Sequence, residues 1–504
     1  MVLGVNLAAN TVFSLWSAAA SFLAVPILVR HLGVEAYALI GLYLSAQSLL
    51  LVLDLGIAPA ANRQVARNIA NGNPSENADL LATLSPLYWG IAVLLALITV
   101  PFAKFIVTYW LNSSDGNIVT ERSLFLIGLI IAARWPATLY QSTLMGAQKI
   151  ALTSSIGIGM VTLATGGGLI TVIALNPNIE AYFLWQLVCA LVFTQVLRRN
   201  AWKVIGGRKV AVKDFKLVKN IWRFSAGMAG VSLTAVLIQQ LDKILLSKWL
   251  SIGDLGNYMV AGALASGLYI ILTPVFNSVY PRFSTHIANE ALDLLYNEYR
   301  VATRALCAVV FPVAFSGAYF AEDILKLWLG EENFNPSTSP VLGMLILGTA
   351  MNGIMHLPYA LQLAAGRSRL PLTINLFLIS LYVPLGYFLT QKFGLLGGSA
   401  ASLVQNILYL VAGSYVTHTL LLRDIRYKWL LADILPTVIV CAASLGLVKL
   451  IMIGTGVDAL GSVLIAGSFA APLMAICLLL FLPAQSRIFF SRAMREIFGI
   501  EANQ

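Results

Sequence analysis

The chain reads as an all-α polytopic membrane protein of about fourteen transmembrane helices, in two pseudo-repeated six-helix lobes followed by a C-terminal helix pair. Three observations predict this. Apolar segments of about 20 residues, the length a helix needs to cross a bilayer core, fill the 504 residues almost end to end, with short polar links between them. Charged residues make up only 11% of the chain and hydrophobic residues 59%, against roughly a quarter charged in soluble domains. Basic residues sort by loop: twenty-three of the 32 Lys+Arg fall in links after even-numbered spans or in the C-terminal tail, and seven in the opposite links.

In order, the spans are expected at Leu7–Val29, Ala36–Ala58, Leu80–Phe102, Ser123–Met145, Ile150–Leu175 and Ala181–Leu197, then at Phe224–Leu246, Leu255–Tyr280, Ala302–Phe320, Pro340–Ala365, Pro371–Thr390 and Gly397–Thr417, and finally at Leu430–Met452 and Gly461–Leu482. The basic asymmetry places both termini in the cytoplasm. The net charge of +10 then reflects cytoplasmic loops facing anionic membrane lipids, with no nucleic-acid site implied. Met1–Asn6 has no basic region and no small-residue cleavage site, so the first span is expected to stay as an uncleaved anchor.

Pro26–Leu42 can be laid over Ile244–Ala261, and Tyr140–Lys149 over Tyr359–Arg367. These pairs relate spans one and two to seven and eight, and span four to ten. The expected domains are an N-terminal lobe at 1–200, a basic cytoplasmic linker at 201–223, a second lobe at 224–420, and an appended helix pair with an amphipathic basic tail at 421–504. In the tail, Phe490, Met494, Ile497 and Phe498 take one side and Arg487, Arg492 and Arg495 the other, as in an interfacial helix. Internal repeats of this sort are common in secondary transporters, with the substrate path between the halves.

Polar residues at helical spacing mark one face in six spans. The first carries Asn6, Asn10, Ser14, Ser17 and Ser21; the second Tyr43, Gln47 and Asp54; the fourth Arg134, Thr138 and Gln141. The seventh carries Ser225, Ser232, Gln239 and Asp242; the eighth Ser266, Tyr269, Thr273, Asn277 and Tyr280; the tenth Asn352, His356 and Tyr359. Such stripes either surround a wet cavity or knit helix to helix. A mid-span arginine costs roughly 3 kcal/mol by insertion scales, so Arg134 is expected to face water or a partner: a phosphate, which its fork suits, or a carboxylate such as Asp54. Asp54 and Asp242 are candidate ion sites, with an ion-paired structural role as the alternative. Asp242 and Lys243, adjacent on a helix, are expected to point about 100° apart and not to pair. His356 is a titrating group or a packing residue. Cys189, Cys307, Cys441 and Cys477 lack metal or disulfide spacing and read as small packing residues. No phosphate-binding loop or other nucleotide or cofactor motif is present.

PILVRHLGVEAYALIGLY, LDLGIAPAANRQVAR, QQLDKILLSKWLSIGDLGNYMVA, YALQLAAGRSRLPLTINL and FGLLGGSAASLVQN resemble the pattern of Wzx-type O-antigen and polysaccharide flippases of the multidrug/oligosaccharidyl-lipid/polysaccharide (MOP) exporter superfamily, over most of the first twelve spans. The resemblance implies a two-lobed, V-shaped transporter of the bacterial inner membrane that is not an enzyme. It would flip a polyprenyl-diphosphate-linked oligosaccharide from the cytoplasmic to the outer leaflet by alternating access, coupled to H+ or Na+. A polysaccharide polymerase and a chain-length regulator are the implied partners. Family members place cationic residues in a central cavity, and Arg134 and Lys243 fit that role; Asn10, Gln47, Gln141, Gln239, Asn277, Asn352 and His356 complete the candidate cavity lining. Fourteen spans are also similar to lipid II flippases. A multidrug or cation exporter would favour acidic cavities over a mid-span arginine. A membrane polymerase or ligase would need a large outer loop, and no odd-numbered link exceeds about 20 residues.

Overall fold

A computed structural model describes residues 2–481 apart from Leu55, Pro74, 112–117, 207–232, Ala235, Ser368 and Thr455. Most of the basic linker, Ser225 and Ser232 of the seventh stripe, and the amphipathic tail lie outside the described residues. All regular secondary structure among the described residues is helical. Among the described residues, eleven helices are long and apolar enough to cross a membrane. Two of them are broken by a glycine: Gly33 (φ 83°, ψ 166°) in Val2–Leu53 and Gly394 (φ 55°, ψ −131°) in Arg369–Leu408. Positive φ of this kind is cheap only without a Cβ. Each glycine divides its helix into two of the expected spans, and helical residues 236–249 represent the seventh, so all fourteen have a counterpart.

By packing, the chain forms two compact units, Met1–Val260 and Ala261–Gln504. In the first, Leu81, Leu84 and Tyr88 of the third span meet Trp135, Leu139 and Tyr140 of the fourth and Leu197 and Ala201 of the sixth. One element was not foreseen. The second span stops at Leu53 rather than Ala58, and a separate helix, Ile57–Ala70, begins after Gly56 turns the chain at φ 78°. Its Ala60, Ala61 and Val65 join that core, while Asn68 donates to Asn77 Oδ1 at 2.9 Å. The first unit also holds the seventh span: Trp110 Nε1 donates to Ser247 Oγ at 3.0 Å. Gly256 packs against the Val34 carbonyl so closely that a Cβ would sit 2.1 Å from its oxygen. Asn6 ties the first span to the fifth; its amide accepts from the Ala151 N–H at 3.0 Å and donates to the Gln148 carbonyl at 3.3 Å.

In the second unit the ninth span is the hub. Its Tyr299, Leu306 and Phe311 are buried, as are Val341 and Leu342 of the tenth span and Trp429 of the thirteenth. Asp433, whose side chain is wholly buried, receives Arg300 Nε at 2.9 Å, Arg300 Nη2 at 2.8 Å and Arg304 Nε at 2.6 Å. Trp429 Nε1 donates to Thr303 Oγ1 at 2.8 Å. The appended helix pair is therefore clamped to the ninth span by charge as well as by packing. All four cysteines are buried and free.

The repeat seen in Tyr140–Lys149 and Tyr359–Arg367 recurs in the backbone. Gln148 (φ 58°) and Gly366 (φ 69°) close the two helices identically: the Lys149 N–H reaches the Leu144 carbonyl at 3.0 Å and the Arg367 N–H the Gln362 carbonyl at 2.9 Å. This is the six-to-one closure of a left-handed helix cap. Matching caps at matching positions support the duplication.

Candidate functional sites

Each unit carries a polar cluster that draws on the second, fourth and sixth spans of its repeat. In the first unit the centre is Arg134, midway along Ile118–Gly146 and half-buried. Its Nη1 donates to the Tyr43 hydroxyl at 3.2 Å. The Gln47 amide, turned so that its oxygen faces the guanidinium, accepts at 2.6 and 3.1 Å. Phe193 of the sixth span lies under the cation, 5.6 Å from ring centroid to Cζ. The fork is thus held on three sides by neutral groups. Among the described residues no carboxylate lies within ion-pair distance of it, so the expected alternative of an Arg134–Asp54 pair is not realised.

Asp54 has other partners. Buried at the break between the second span and Ile57–Ala70, it accepts from the Ala58 N–H at 2.7 Å and from the Tyr88 hydroxyl. It serves as an end cap for that helix in the manner of an N-cap carboxylate. Asp242 corrects a sequence expectation. Lys243 Nζ lies 3.2 Å from Asp242 Oδ1 and 3.2 Å from the Gln239 carbonyl, and Tyr258 donates to Asp242 Oδ2 at 2.7 Å. The backbone directions of neighbours do diverge, but a four-carbon stem is long enough to curl back. The pair stays half-buried, with side-chain exposures of 25% and 14%.

In the second unit, Asn352 of the tenth span accepts from the Tyr269 hydroxyl at 3.3 Å and donates to Asn406 Oδ1 of the twelfth at 3.0 Å. One turn on, His356 Nδ1 lies 3.3 Å from the Asn352 carbonyl. Its ring packs edge-on against Tyr269 and Phe276, each at 6.0 Å. Phe276 stacks on Tyr280 at 6.0 Å and on Tyr359 at 5.9 Å. Asn10, Gln239 and Asn277 are exposed and Gln141 is half-buried. The structure therefore brings together Arg134 with Gln47, Asn352 with His356, and Asp242 with Lys243. Reading stripes one span at a time missed Phe193, Tyr88, Phe276 and Asn406; of these only Asn406, an amide beside Gln405 in an apolar span, left a signal that could have been followed.

The family model described as polysaccharide biosynthesis protein matches residues 3–286, more than half of the chain, and the MatE model matches residues 228–388. A Shigella flexneri protein described as "Putative O-antigen transporter" is 22% identical over 410 residues, covering 79% of this chain and 94% of that protein. Among solved structures, the lipid II flippase MurJ in an inward closed conformation is similar with a TM-score of 0.69 at 14% identity, covering 96% of this chain and 99% of MurJ. An inward-facing multidrug resistance MATE family transporter of the MOP superfamily has a TM-score of 0.67 at 14% identity, covering 80% of this chain and 95% of that one. These two likenesses concern the fold.

Proposed function

Because the chain belongs to the polysaccharide biosynthesis protein family and has the fold of MOP-superfamily transporters, we propose that it flips a polyprenyl-diphosphate-linked oligosaccharide, an O-antigen or related repeat unit, from the cytoplasmic to the outer leaflet of the bacterial inner membrane. It is a multi-pass membrane transporter, not an enzyme. The observation that carries the substrate reading is Arg134: a guanidinium in the middle of an apolar span, held by the Tyr43 hydroxyl and the Gln47 amide with no carboxylate among the described residues to neutralise it. A charge so placed is expensive unless it meets water or a partner, and such charges commonly mark substrate pathways. Its planar fork matches a diphosphate. The Shigella relative, itself described as a "Putative O-antigen transporter", supports the glycan half of the substrate.

The transport cycle in this reading is alternating access driven by an H+ or Na+ gradient, with both termini in the cytoplasm and a polymerase and chain-length regulator acting on the product. Asp242 is the stronger coupling candidate. It is half-buried and shares its charge with Lys243 and the Tyr258 hydroxyl, so its ion pair can open to admit a proton or Na+. Asp54 is occupied in capping a helix. Replacing Arg134 tests the substrate reading: Arg134→Ala should abolish surface polymer while the protein remains in the membrane, and Arg134→Lys should restore part of it. Normal surface polysaccharide in the Ala strain rules the role out.

A further inference from the structure

The polar cluster of the second unit differs in kind from that of the first. Its three contributing stretches, 266–280, 338–364 and 395–413, contain no Asp, Glu, Lys or Arg. In place of a cation it offers stacked rings, Tyr280 on Phe276 on Tyr359. Beside them stand the bonded amides of Asn352 and Asn406 and the imidazole of His356. The rings are open enough to be touched: Tyr280 is 37% exposed, and Phe276 and Tyr359 are half-buried.

The helices are irregular at this place and on all three sides. A 3₁₀ turn at Ser266–Leu268 precedes Tyr269. The tenth span is interrupted at Met355, between Asn352 and His356. A wide π turn at Tyr409–Gly413 follows Asn406. Such local departures from α geometry inside apolar helices often mark functional positions. Gly353 allows the close approach here, since a Cβ at that position would meet Leu272 at 2.4 Å.

Partly exposed rings, amides and an imidazole, with no formal charge, suit a neutral ligand rich in hydroxyl groups. The apolar C–H face of a pyranose lies flat on an aromatic ring, and amide and imidazole groups both donate and accept to hydroxyls. We propose that the aromatic and amide face of the second unit, centred on Phe276, Tyr359 and Asn352, binds the glycan portion of the transported lipid. The inference rests on the flippase reading above and deepens it by giving the glycan a face of its own.

The test compares two probes on the purified full-length protein: undecaprenyl diphosphate alone, and the lipid-linked oligosaccharide purified from the producing cells. Wild type should bind the glycosylated probe about tenfold or more tightly than the bare one. Phe276→Leu and Tyr359→Leu, which keep apolar volume but lose the ring face, should erase that preference and leave the bare lipid's Kd unchanged, which also reports intact folding. Phe276→Trp should keep the preference. Equal affinity of wild type for the two probes, or leucine variants that keep the preference, overturns the glycan face and leaves the flippase reading standing. Binding of neither probe by wild type overturns both. If Phe276→Leu instead weakens ethidium binding and leaves the glycosylated probe untouched, the face serves an organic cation and the proposal is wrong.

Discussion

Arg134→Ala is the substitution with the most calculable outcome. The guanidinium is supported by two neutral hydrogen-bonding side chains and a ring, so removing it leaves no orphaned charge behind. Tyr43, which is buried, and Gln47, which is half-buried, are neutral, water can enter the space the side chain leaves, and the fold should hold. What disappears is a charge-assisted contact to phosphate, worth about 1.5–3 kcal/mol net. At about 1.4 kcal/mol per tenfold in affinity, the Kd for undecaprenyl diphosphate should rise roughly ten- to a hundredfold. Arg134→Lys keeps the charge and loses the fork, and should fall between Ala and wild type. Tyr43→Phe deletes one supporting hydrogen bond of about 1 kcal/mol and should cost no more than about fivefold. Equilibrium binding to the purified protein measures all three, with immunoblots of surface polymer as the cellular counterpart. A change below twofold for Arg134→Ala, at normal protein level, would refute the assignment of the phosphate to this residue.

Three further outcomes are expected. Reporter fusions after Ser113 and Glu332 should report the periplasm and fusions after Lys209 and at Gln504 the cytoplasm; an outer C-terminus contradicts fourteen crossings. Asp242→Asn should remove the gradient dependence of transport in proteoliposomes without rescue by loss of Lys243, whereas Asp54→Asn, whose amide oxygen still accepts from the Ala58 N–H, should keep it, and Asp54→Ala should lower thermal stability by about 0.5–2 kcal/mol for a lost cap; full gradient dependence in both Asn variants makes the carboxylates structural. Asp433→Ala strands two arginines against a buried face and should destabilise the second unit by about 3–5 kcal/mol, read as a lower melting temperature, with Arg304→Met added to the same chain recovering part of the loss; an unchanged melting temperature would mean that the clamp carries no net stability.

The helices were legible because the bilayer imposes a length and an apolarity that composition alone reveals. The duplication was legible because short stretches kept matching residues, Pro26–Leu42 with Ile244–Ala261 and Tyr140–Lys149 with Tyr359–Arg367; the caps at Gln148 and Gly366 left no such mark. Ile57–Ala70 was not, since its alanines continue the apolar run of the second span and only Gly56 separates them. Arg134 stood out as a charge in an apolar context, yet its partners did not: Phe193 is sixty residues away and is one of many phenylalanines in the chain. The Asp242–Lys243 pair shows the limit of angular reasoning, which places Cβ atoms correctly and says little about where a flexible ammonium ends. The aromatic face of the second unit was half visible, its polar members through their spacing and its rings not at all, because a stacked phenylalanine and a packing phenylalanine look alike in sequence.

Asn6 bears on how the molecule is made. Its amide finds its partners at Gln148 and Ala151, which emerge from the ribosome some 7–30 s later at roughly 5–20 residues per second. During that interval the first helix sits in the bilayer without the two partners of its Asn6 amide. The contact that finally docks it is also one that only a nascent chain with five helices can make. Biogenesis of the first unit therefore has a checkpoint: truncations ending before Gln148 should leave the first helix accessible to crosslinkers and proteases, and those ending after the fifth span should protect it.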